Sequence, residues 1–70
     1  MSTPRERAAI AGDLLAMHPA ALDCTREETF VQMLSDLMHH AAAQRLDFEG
    51  LLAQARQTHR DELADFGYFR

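Results

Sequence analysis

The chain has one cysteine, Cys24, no lysine, no asparagine and no long apolar run. A single thiol allows neither an intramolecular disulfide nor a cysteine-based zinc site, and it fits a reducing compartment. No segment approaches the roughly 18 to 20 consecutive apolar residues of a membrane span. The opening MSTPRERAAIAGDLLAMHP lacks the apolar stretch of a signal peptide, and its carboxylates are wrong for a transit peptide, so the cytoplasm is the expected location. Without lysine, seven arginines face eleven carboxylates, for a net charge of −4. Broad contact with a phosphate backbone needs a basic face, so this balance disfavours nucleic acid as a partner. The abundance of alanine and arginine is the usage expected of a GC-rich genome. Strand-like alternation, internal repeats and low-complexity segments are absent from the pattern.

What remains is 70 residues, 47% apolar and 26% charged, which is enough for one globular domain. A core built from so few residues is marginal, and self-association or a partner is expected. Three helices account for the periodicity. The first covers about residues 4–17: Thr3 stands as N-cap, Pro4 at the first helical position and Glu6 in the capping-box place. Ile10, Leu14 and Met17 recur at helical spacing beside Ala11 and Leu15, and Pro19 forces the stop. Residues 18–24 read as a connector. The second helix, about 26–44, has a capping box of its own in Thr25 and Glu28. Its apolar positions Phe30, Val31, Met33, Leu34, Leu37, Met38, Ala41 and Ala42 cover roughly half the circumference. So wide an arc predicts a central helix packed by both neighbours, with Leu34 and Leu37 its most buried members. The third helix, about 48–66, opens on Asp47 as N-cap, with Leu46 and Leu51 in the places of a hydrophobic staple. Its stripe is Phe48, Leu51, Leu52, Ala55, Leu63 and Phe66, and Gly67 is placed to end it. The short link at Arg45 and Leu46 makes the second and third helices antiparallel neighbours. The expected fold is all-α: a small three-helix domain with an antiparallel hairpin of helices two and three.

Histidine is the residue type with most chemical reach here. Asp36 with His39, and His59 with Glu62, stand three apart, as in carboxylate–histidine pairs of helical di-metal proteins. At 1.5 Å of rise per residue, however, a hairpin turning near Leu46 leaves His39 and His40 too far from His59 to share an ion. His39 and His40, with His18, therefore read as surface residues, and neither metal nor cofactor is expected. His59 falls within the apolar stripe of the third helix. It could serve as a pH switch or general base, but a hydrogen-bonded core histidine is the simpler reading. No nucleophile pairs with it, since Cys24 lies in a connector and Ser35 on another helix. Arg56, Arg60 and Asp61 read as solvated surface.

Phe66, Tyr68 and Phe69 put three of the five aromatics into the last five residues. Such rings either complete the core or meet a partner, since aromatics are enriched among interface anchors. Met33 and Met38 are core filler or an adaptable binding surface. The candidate protein-binding residues are therefore Phe66, Tyr68, Phe69, Met33 and Met38.

The run Leu34-Ser35-Asp36-Leu37-Met38-His39, followed by Leu46-Asp47-Phe48, Leu51-Leu52, Ala55, His59 and Glu62, resembles a group of small helical proteins encoded by phages, plasmids and genomic islands. The likeness covers about half the chain and implies a mobile-element setting. It assigns no catalytic residue. Small acidic proteins in that setting include inhibitors of host systems, anti-CRISPR proteins among them, which occlude binding surfaces. The functional expectation is a non-enzymatic protein-interaction module that binds another protein or a second copy of itself. Two alternatives stand beside it. One is an accessory protein with a metal or acid–base site at His39, His40 or His59. The other is a small DNA-binding protein using Arg56 and Arg60, against the opposing charges of Glu49, Asp61, Glu62 and Asp65.

Overall fold

A computed structural model describes residues 3–66, the last of them by its backbone alone. Three helices follow in order: α1 Pro4–Ala16, α2 Arg26–Ala43 and α3 Phe48–Phe66, with a 3-10 turn Pro19–Leu22 between the first two. There is no strand among the described residues. The fold is all-α, with α2 and α3 in contact across a short turn.

Local chemistry sets the helix ends. Thr3 Oγ1 accepts from the Glu6 N–H at 3.2 Å while the Thr3 N–H donates to Glu6 Oε1 at 2.9 Å. Thr25 and Glu28 repeat that reciprocal box at 3.1 and 2.8 Å. Each box satisfies two backbone donors that a helix start otherwise leaves unpaired. The Thr3 backbone bond, then the Thr3 side-chain bond, hold the Glu6 carboxyl below its ordinary value of 4.5, and Thr25 does the same for Glu28. At α3, Asp47 Oδ1 accepts from the Gly50 N–H at 3.2 Å, as its N-cap role predicts.

The connector is more ordered than its sequence suggests. His18 Nδ1 accepts from the Ala20 N–H at 3.1 Å and so caps the 3-10 turn. That leaves the ring proton on Nε2, which donates to Asp36 Oδ2 on α2 at 2.6 Å. His18 is thus a half-buried tie between the connector and α2, not a surface histidine. Asp36 serves this tie and not the pair with His39 that its spacing suggests.

The α2–α3 turn is a Schellman motif. The Leu46 N–H reaches back to the Ala41 carbonyl at 2.8 Å and the Arg45 N–H to the Ala42 carbonyl at 3.2 Å. Arg45 occupies the left-handed position, with φ 57°, where glycine is usual. The accompanying contact in such motifs joins the residue after the left-handed one to the residue whose carbonyl it bonds. Here these are Leu46 and Ala41, and Ala41 is buried. At the other end of α3, Glu62 pairs with Arg7 of α1.

Packing departs from expectation. Among the described residues only Pro4, Thr29 and Ala41 are buried. Leu34 and Leu37, predicted to be the most buried members of α2, are 39% and 48% exposed. His59, predicted in the core, is exposed on α3. In α1 it is Leu15 that turns inward, half-buried, while Ile10, Leu14 and Met17 stay open. The reason is geometric. The helices meet at a few points: His18 against Asp36 midway along α2, the 41–46 turn, and Arg7 with Glu62. Helices joined at such points leave much of each flank uncovered. The radius of gyration is 13.7 Å, against roughly 11 Å for a compact chain of this length.

Candidate functional site

Helix α2 carries the candidate site. Phe30, Leu34, Leu37 and Ala41 recur at steps of four, three and four residues, the spacing that lines one face of a helix. Val31 and Met38 flank that line on one side. Of these six, only Ala41 is buried; Phe30, Val31 and Met38 are each more than half exposed. The neighbouring side of α2 bears Thr29, Met33 and Asp36. It is the side engaged by the rest of the chain: Thr29 is buried, Met33 half-buried and Asp36 bonded to His18. Thr29 also donates to the Thr25 carbonyl at 2.9 Å, so its burial leaves no hydroxyl unpaired.

A cavity of about 610 Å³ lies between α1, the 3-10 turn and the start of α2. Leu15 and Ala16 of α1 and Ala21 of the turn form its apolar wall with Phe30, and Arg26 and Glu27 at the start of α2 bring charge to its edge. A Cβ built at Gly12 meets nothing within 4 Å, so the space beside α1 is open there. Phe30 belongs both to the cavity wall and to the exposed stripe, which makes the two features continuous. The arrangement can accept an apolar side chain or helix from outside.

Of the residues singled out from sequence, Met38 is on this surface and Met33 is not. Phe66 ends α3, its side chain outside the described residues, as are Gly67, Tyr68 and Phe69 in full. His39 and His40 are exposed, and no group of three His, Cys, Asp or Glu among the described residues is placed to hold a metal ion. Arg56, Arg60 and Asp61 are exposed, with Gln57 Nε2 donating to Asp61 at 2.9 Å. Sequence reasoning missed Phe30, Val31, Leu34 and Leu37 as surface residues by assigning them to the core. The signal was present in the half-circumference apolar arc of α2, which is wider than a one-sided surface helix needs.

Comparison with family models, curated proteins and solved structures found no match.

Proposed function

We propose that this protein is a non-enzymatic interaction module and that the open face of α2 is its working surface. The observation that supports the reading is the exposure of five large apolar residues, Phe30, Val31, Leu34, Leu37 and Met38, contiguous on one helix. Large exposed apolar patches mark interaction sites far more often than isolated exposed leucines do. Met38 at the edge of the patch adds a side chain that adapts to irregular partners. The resemblance to mobile-element proteins supplies a setting for this reading, in which an apolar helix face occludes the binding surface of a host protein.

The test replaces Val31 and Met38 together by Gln. Both lie at the flank of the stripe, where their loss leaves the caps and the His18–Asp36 tie in place. Helical circular dichroism is expected to be retained while association, with itself or with a host protein, falls at least tenfold. Undiminished association in a folded variant would move the working surface elsewhere.

A further inference from the structure

We propose that the occupant of α2's open face is a second copy of this chain, lying antiparallel across the 30–41 stripe. The inference rests on reading that face as a docking surface. Three observations choose the occupant.

The first is area. A folded chain of 7.9 kDa ordinarily exposes roughly 4,400 Å². This one exposes 6012 Å². The excess, roughly 1,600 Å² spread over the whole chain, is more than the roughly 800 Å² that each partner buries in a standard recognition interface. A partner needed for the core itself must be present wherever the chain is made. The one molecule that meets this condition is another copy.

The second is self-complementarity. A two-fold axis puts residue i against j and j against i. With Leu34 opposite Leu37 of the second copy, antiparallel pairing sets Phe30 against Ala41 at both ends, the largest side chain against the smallest. Val31 then falls beside Met38 of the other copy. Leu46 and Leu51, exposed at the turn end, extend the patch that Phe30 of the second copy reaches.

The third is charge. The stripe from Phe30 to Met38 carries no charged side chain, so symmetric pairing sets no like charges against one another there. Ahead of Phe30, Arg26 and Glu27 fall opposite Arg45 and Gln44 of the second copy, so the Glu27 carboxylate stands next to the two facing arginines. Parallel pairing would set Glu27 against Glu27 and align the two helix dipoles, and both effects oppose it.

The experiment measures solution mass by light scattering and sedimentation on the purified full chain, with the variants L34E and L37R. The expected mass is twice 7.9 kDa for the native chain. Each variant alone should fall to the single-chain mass or lose helical signal. Mixing the two should restore both the doubled mass and the helical signal. In the mixed pair one layer becomes Glu against Arg and the other stays Leu against Leu. Failure of the mixture to recover overturns the antiparallel register. A native chain at single mass overturns the second copy altogether, and binding of an apolar-surface dye then separates the two readings. A monomer that binds dye still has its docking face open for another protein, whereas one that binds none loses the docking surface as well.

Discussion

Arg45 holds a left-handed backbone that only glycine adopts without a penalty of about 1 kcal/mol. The Schellman bonds around it depend on that conformation and not on the guanidinium. Arg45→Gly is therefore expected to stabilise by about 1 kcal/mol, read as a higher midpoint in urea. A fall would mean that the guanidinium makes a contact stronger than the backbone relief. Two residues further on, Asp47 and Gly50 form a coupled pair. Alanine at Gly50 would put its Cβ against the Asp47 carboxylate. Asp47→Ala alone should lose about 1 kcal/mol of capping. Gly50→Ala alone should change little, because about 1 kcal/mol of helix propensity offsets a displaced cap. In the Asp47→Ala background the same change should gain its full propensity. Additive effects across this double-mutant cycle would show that the glycine is not there for the cap.

The two capping boxes give the helices a shared acid sensitivity. Glu6 and Glu28 titrate below their ordinary 4.5 because their charged forms accept the Thr3 and Thr25 backbone N–H groups. A folded value below the unfolded one contributes stability that is fully present above about pH 4.5 and is lost as pH falls through the lowered values. Melting curves of helical circular dichroism should shift down in that acid window. The double variant Glu6→Gln, Glu28→Gln keeps an acceptor oxygen without a titrating group, and its curves should shift less. These boxes, the Asp47 cap and the proline stop before Pro19 were legible in the sequence because each depends on residues within four positions of one another. The His18–Asp36 bond was not legible, since it spans 18 positions and needs the 3-10 turn to aim the ring. The side of α2 that packs was hidden for the same reason. Periodicity locates an apolar arc, but which part of it a neighbour covers depends on where that neighbour crosses.

At the scale of the molecule, the helical class and the three-element order followed from patterning, while the location of the core did not. Leu34 and Leu37 have the spacing of core residues and would be core in a chain whose helices met along their lengths. Here no leucine among the described residues is buried. That feature makes abundance a structural variable. When a second copy supplies the missing contacts, mass action governs folding, and each tenfold dilution removes about 1.4 kcal/mol from the folded pair. The melting temperature should fall by several degrees per decade of dilution, whereas a self-sufficient monomer melts at one temperature whatever its concentration. In a cell the proposed pairing would follow the same law: the share of paired chains would rise steeply with copy number, so the rate of synthesis would set how much of the protein is paired.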